Sequence, residues 1–89
     1  MQQQTSTIIN KLGLHARAAA KFVTKASLFE SDVFLKRESK EVNGKSIMGV
    51  MMLAAAKGTE VEVITKGPDE AQALQALLEL IENRFDEAE

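Results

Sequence analysis

Cysteine, tryptophan and tyrosine are missing from this chain, and proline and histidine occur once each. Without cysteine there is no disulfide framework, no thiolate nucleophile and no sulfur ligand for zinc. A single histidine leaves little to hold a transition metal, since zinc takes several His, Cys or carboxylate ligands. No metal and no cofactor is expected. Nucleic-acid modules show a basic surface and aromatic stacking residues. A formal net charge of −2 with neither Trp nor Tyr argues against one. No apolar run approaches the roughly 20 residues that span a bilayer, so no membrane insertion is expected. The opening Met1-Gln2-Gln3-Gln4 has neither the basic nor the apolar region of a secretion signal, and a cytoplasmic location is the expectation.

What is present suits one small domain over residues 1–89. The 45% hydrophobic and 27% charged fractions are those of an ordinary globular protein, with length for a single modest core. Residues 5–10 are β-branched and partly alternating, which predicts a strand. Residues 16–26 repeat Ala19, Phe22, Val23 and Ala26 at helical spacing, with Arg17, Lys21 and Thr24 along another face. That second face reads as solvated, as the rim of a docking surface, or as both. Residues 32–37 alternate around Val33 and Leu35 and form a strand; Glu38-Ser39-Lys40 turns; Glu41-Val42 makes a short strand before the turn Asn43-Gly44.

Residues 46–56 are apolar almost all round and read as a helix too hydrophobic to have a water-facing side. So small a domain cannot bury it completely, and part of it is expected at the surface. Flexible Met48, Met51 and Met52 suit a face that repacks against different partners, with at least one of them expected to fill the core. Residues 59–65 alternate cleanly as a strand, and Gly67-Pro68 opens a terminal helix with Asp69 and Glu70 in its first turn. Ala71, Leu74, Leu78, Ile81 and Phe85 are its expected buried stripe. The acidic ending 86–89 reads as a frayed, solubilising tail. The order β-α-β-β-α-β-α implies an α+β fold: a two-layer open-faced sandwich, with a four-stranded, mainly antiparallel sheet and three helices on one face.

The one histidine lies in Gly13-Leu14-His15-Ala16-Arg17, at the mouth of the first helix. Imidazole is a competent nucleophile in its neutral form near physiological pH. A helix N-terminus offers free N–H groups and the positive end of a dipole, and the guanidinium of Arg17 matches phosphate geometry. Nucleophile, anion cradle and permanent cation within five residues point to a phosphoryl group held on His15. The alternative for so short a pattern is a surface histidine or a helix cap.

With these elements in order, the whole chain resembles the HPr family, the histidine-containing phosphocarriers of the bacterial phosphoenolpyruvate-dependent phosphotransferase system, including its nitrogen-related branch. The run Gly13-Leu14-His15-Ala16-Arg17-Ala18-Ala19-Ala20 resembles the family's active-centre motif, and Asn43-Gly44-Lys45-Ser46-Ile47-Met48-Gly49-Val50-Met51 its regulatory-serine segment. The resemblance implies a carrier and not an enzyme: His15 takes a phosphoryl group on Nδ1 from enzyme I and passes it to IIA components. Ala16 and Arg17 supply N–H groups, and the Arg17 side chain steadies the charge. It implies Ser46 as the target of an HPr kinase, although a serine here is equally an N-cap. It implies partner docking by Ala20, Thr24, Ile47, Met48, Gly49, Met51 and Met52, and a monomer. Ala18 departs from the family's usual proline, which pre-sets φ in a first helical turn. A small effect on stability and phosphoryl affinity is expected.

Other classes fit less well. A regulatory module that binds partners according to the state of Ser46 or His15 uses the same apolar helix, and the Phe85-Asp86-Glu87 ending is reminiscent of the nitrogen branch. A small-molecule sensor finds no pocket residues besides the His15 run. A hydrolase finds no Ser/His/Asp arrangement, and Glu60 and Glu62 stand two apart on a strand, facing solvent.

Overall fold

Two antiparallel pairings on either side of one central strand organise the chain, whose computed structural model describes residues 1–88. The strands are β1 (Gln2–Thr7), β2 (Asp32–Arg37), β3 (Lys40–Asn43) and β4 (Glu60–Lys66); the helices are α1 (Ala16–Ala26), α2 (Ile47–Met52) and α3 (Glu70–Glu82), followed by a 3-10 turn at Arg84–Asp86. The sheet order is β1-β4-β2-β3, antiparallel throughout. Side chains alternate across a strand, so Val33 and Leu35 of β2 and Val61 and Val63 of β4 all point to one face. There they join Ala18, Ala19, Phe22 and Ala26 of α1, Val50 of α2 and Leu77 and Ile81 of α3 in a single buried cluster. The expected open-faced sandwich, with its order of elements, is the observed fold. Among the described residues no helix is long and apolar enough to cross a membrane.

β1 departs from its expected bounds of 5–10. Gln2 already pairs with Thr65, and Thr7 with Glu60. An edge strand is held by its backbone ladder, so it needs no apolar alternation, and three glutamines conceal it in the sequence. Beyond it, the Ile8 N–H donates to the Thr59 carbonyl (2.9 Å), and Asn10 turns into the interior with no exposed surface.

α2 is half the expected length. A helix over 46–56 stops at Met52, and Ala54 takes a left-handed φ of +52°. Three alanines with high helix propensity are drawn away by tertiary partners. The Ala55 carbonyl accepts from the Leu14 N–H at 2.9 Å. Arg37 donates to the carbonyls of Leu53 (2.9 Å) and Ala54 (3.2 Å), and Lys40 to that of Met52 (2.7 Å), placing cations on the negative helix end. Val50 and Leu53 fill the core, and all three methionines of this segment are exposed, contrary to the expectation for at least one of them.

α3 buries Ala73, Leu74, Leu77, Leu80 and Ile81, the wide stripe that a helix lying on a sheet presents. Ala71 is exposed and Leu78 only partly buried, so the expected stripe was drawn too narrow and rotated. Phe85 is fully buried as expected, but from the 3-10 turn and not from the helix.

The Asp69 side chain makes no bond to its own helix; it clasps the loop ahead of β2. Its Oδ1 accepts from Ser31 Oγ (2.5 Å) and Ser31 N–H (2.9 Å), its Oδ2 accepts from Glu30 N–H (3.0 Å), and its own N–H donates back to Ser31 Oγ (3.2 Å). The Ser31 hydroxyl first, then the Glu30 N–H, hold this carboxyl below its ordinary 3.8 despite partial desolvation. A depressed folded value means that the stabilisation is complete above 3.8 and is lost as pH falls through the folded value. Asp69→Asn is expected to lower Tm by a few degrees at pH 7, with the gap to wild type closing under acid below pH 3.8. Circular dichroism melts across pH read this directly.

Candidate phosphoryl-acceptor site

The loop before α1 is built to hold one side chain at a helix mouth. Gly13 has φ +68°, and a Cβ there would lie 2.5 Å from the Ala55 carbonyl oxygen, so only glycine fits both the turn and the close approach. Asn10 closes that turn twice: its carbonyl accepts from the Gly13 N–H (3.2 Å), and its Nδ2 donates to the Gly13 carbonyl (2.8 Å). Leu14 anchors the next residue in the core. His15 then caps α1 in extended conformation (φ −77°, ψ 179°), and its carbonyl accepts the first helical bond from Ala19 at 2.8 Å. No side chain caps the helix, and Ala16 and Arg17, both exposed residues, form its first turn beside the imidazole. Those N–H groups precede the first intrahelical bond and have no partner within the helix.

The expected tail is not frayed where it matters. His15 Nε2 lies 2.5 Å from Glu87 Oε2, with 28% and 16% of the two side chains exposed. Glu87 Oε1 accepts from Asn10 Nδ2 at 3.0 Å. Burial pushes the Glu87 carboxyl upward; it is outweighed by the hydrogen bonds from Asn10 and His15 and by the charges of His15 and Arg17, which together hold it below its ordinary 4.5. Glu89, the last residue of the expected tail, lies outside the described residues. The tail reaches the site because Arg84, Phe85 and Asp86 take left-handed φ of 56°, 53° and 63° while Phe85 plugs into the core.

Arg17 is exposed and lines two surface features. One is the cleft containing His15 and Glu87, and the other is a groove along α1 with Ala20, Lys21, Thr24 and Leu28. The structure thus joins the expected anion site to part of the expected docking face through a single residue. A larger depression on the open face of the sheet, between Thr5, Lys36 and Glu60, contains no histidine and lies on the face opposite the helices. On α2, which packs against α1, Ile47, Met48, Met51 and Met52 are exposed, and Gly49 is half-buried. Leu12 and Leu28 are exposed apolar residues that periodicity did not single out.

Ser46 caps α2: its Oγ accepts from the Gly49 N–H at 3.1 Å. Ser46→Ala is expected to cost about 1 kcal/mol, read as a lower urea midpoint with an unchanged m-value.

Asn10 and Glu87 were missed as site residues. For Asn10 a faint signal existed, a turn asparagine three positions before a glycine. For Glu87 none did, because 72 positions separate it from His15.

The family model for PTS-HPr, described as the PTS HPr component phosphorylation site, matches residues 2–83. The Phosphocarrier protein HPr of Neisseria meningitidis is 57% identical over 89 residues, covering all of both chains. The crystal structure of HPr-C-His from Thermoanaerobacter tengcongensis superposes with a TM-score of 0.96 at 46% identity, again covering both chains completely. The crystal structure of an HPr dimer from the same organism gives 0.78 at 47%, covering 98% of this chain and 100% of that one. Fold and likeness together define a phosphocarrier, a phosphotransfer intermediate and not a catalytic enzyme. More narrowly, the chain belongs to the HPr family of the phosphotransferase system.

Proposed function

We propose that His15 is the residue that carries the phosphoryl group, receiving it from phosphorylated enzyme I, which draws it from phosphoenolpyruvate, and handing it to IIA-type acceptors of sugar uptake in the cytoplasm. The observation that carries this reading is the histidine's position as the N-cap of α1, part-exposed, with no side chain competing for the first-turn N–H groups. The lone pair of a ring nitrogen attacks phosphorus, the N–P bond forms, and the donor atom leaves with the electron pair of its own P–X bond. The phosphoryl oxygens then meet the N–H groups of Ala16 and Arg17 and the Arg17 guanidinium, which stabilise negative charge without offering a second attachment point. Protonated imidazole is a good leaving group, so the phosphoryl group stays transferable. Both partners must reach His15 in line, and exposure on the α1 side permits it.

Ser46 is in this reading the regulatory phosphosite of an HPr kinase. A dianion at a helix start is electrostatically tolerated, so its effect falls on partners. Charge beside Ile47 and Met48 would be costly to desolvate against a docking surface formed by those residues with Ala20, Thr24, Gly49, Met51 and Met52. The carrier acts as a monomer, leaving these faces to enzyme I and the IIA acceptors.

The test is intact-mass spectrometry after incubation with enzyme I, magnesium and phosphoenolpyruvate. One added, acid-labile phosphoryl group is the expected result. An unmodified chain, beside a second carrier phosphorylated by the same enzyme I, would overturn the reading.

A further inference from the structure

We infer that Glu87 is a positioning residue for His15: it holds the proton of the imidazole on Nε2, so that Nδ1 presents its lone pair, and it offsets the positive charge the ring gains on phosphorylation. The inference rests on the reading of His15 as the phosphoryl carrier on Nδ1, and it adds to it the side chain that selects that nitrogen.

An ionised carboxylate can only accept hydrogen bonds. Oε2 at 2.5 Å from Nε2 therefore places the proton between them on the ring nitrogen. In a neutral imidazole one nitrogen donates and the other accepts, and fixing the donor at Nε2 leaves Nδ1 as the nucleophile. The second carboxylate oxygen is not idle. Oε1 accepts from Asn10 Nδ2, which also donates to the Gly13 carbonyl, so the carboxylate is tied to the same turn that presents the histidine. Asn10 is fully buried. The carboxylate is thus held on its far side by a rigid part of the fold, and the tail carrying it is anchored by Phe85. This is the arrangement by which a buried carboxylate keeps a catalytic imidazole in one tautomer and stabilises the imidazolium that forms. Here Nδ1 bonds to phosphorus, the electron pair of the broken bond leaves with the donor, and the proton stays on Nε2. The ring becomes a cation facing Glu87. When an acceptor takes the phosphoryl group, the N–P pair returns to Nδ1 and the neutral tautomer is restored with no proton exchanged with solvent. Nε2, covered by Glu87, is not offered to donors.

Two readouts test this. Potassium phosphoramidate is a small donor that phosphorylates imidazole without a protein partner: the ring N–P bond forms as its P–N bond breaks and ammonia leaves. Wild type is expected to give the Nδ1 adduct, and Glu87→Ala a mixture containing the Nε2 adduct, assigned by 31P and 15N NMR. In the unphosphorylated protein, 15N shifts of the ring are expected to show the Nε2–H tautomer in wild type and in Glu87→Gln, which keeps an acceptor, and a mixture in Glu87→Ala. Single-turnover transfer from phosphorylated enzyme I is expected to fall about tenfold in both variants, the scale on which loss of an orienting partner acts. Nε2 labelling of the wild type, the same tautomer and adduct in Glu87→Ala as in wild type, or an undiminished transfer rate in both variants would each overturn the inference. If enzyme I fails to label even the wild type, the carrier reading falls, and the phosphoramidate regiochemistry still decides the role of Glu87.

Discussion

A His15→Gln chain is expected to take up no phosphoryl group from enzyme I while remaining folded, its stability within about 1 kcal/mol of wild type. The amide nitrogen of glutamine has its lone pair delocalised into the carbonyl and is no nucleophile, so the loss of acceptance is complete and not graded. The fold survives because His15 supports α1 through its backbone, whose carbonyl accepts from Ala19. The ring is 28% exposed and outside the core, and Glu87 keeps its bond from Asn10 when the imidazole is removed. Intact mass reads the first effect and a urea titration the second. A labelled His15→Gln chain would assign the phosphoryl group elsewhere, with Ser46 the first residue to examine.

Phe85→Ala is expected to be the more damaging substitution to the fold, by about 3 to 5 kcal/mol, the usual loss when a buried aromatic side chain is cut back to a methyl group. Phe85 has no exposed surface. It also sits in the middle of three successive left-handed residues, a conformation that costs a non-glycine residue about 1 to 2 kcal/mol. Strain of this kind persists only where the surroundings over-determine it, and here the buried ring does so. With the ring gone, Arg84, Phe85 and Asp86 relax toward ordinary backbone, and Glu87 loses its path back to His15. The variant is therefore expected to combine a lower urea midpoint with the slower phosphoryl transfer expected for Glu87→Ala. Glu87→Ala by itself should lower the midpoint much less, since it removes only the hydrogen bonds to His15 and Asn10 and no core side chain. Comparing the two separates the anchor from the group that it positions.

Most of the architecture was legible because strong periodicity marks elements that bury one face. The bounds of α1 and β2 follow directly from Phe22, Ala26, Val33 and Leu35. The errors fall where other forces act. The glutamines of β1 are held by main-chain pairing, which has no side-chain signature. The alanines after Met52 are excellent helix formers whose carbonyl and backbone geometry are claimed by Leu14, Arg37 and a left-handed Ala54. On α3, the periodic pattern established the helix but not its rotation, because leucines occupy more than one face, and only packing on the sheet decides which of Ala71 and Ala73 is inside.

By itself the sequence determined the chemistry that this protein can offer. One imidazole, no thiol, a glycine that permits the turn before it and an arginine two residues after it are local facts, and local spacing places them at the start of a helix. It also determined the order of elements, through alternation and helical repeat. Tertiary structure alone decided what surrounds that imidazole. Asn10 enters the core from a turn, the chain's far end is drawn in by Phe85, and a carboxylate 72 positions away arrives on Nε2. The physical reason is range. Helix and strand patterns are set by neighbours a few residues apart, whereas the Glu87–His15 pair exists only after the core has closed and a strained turn has been held against it.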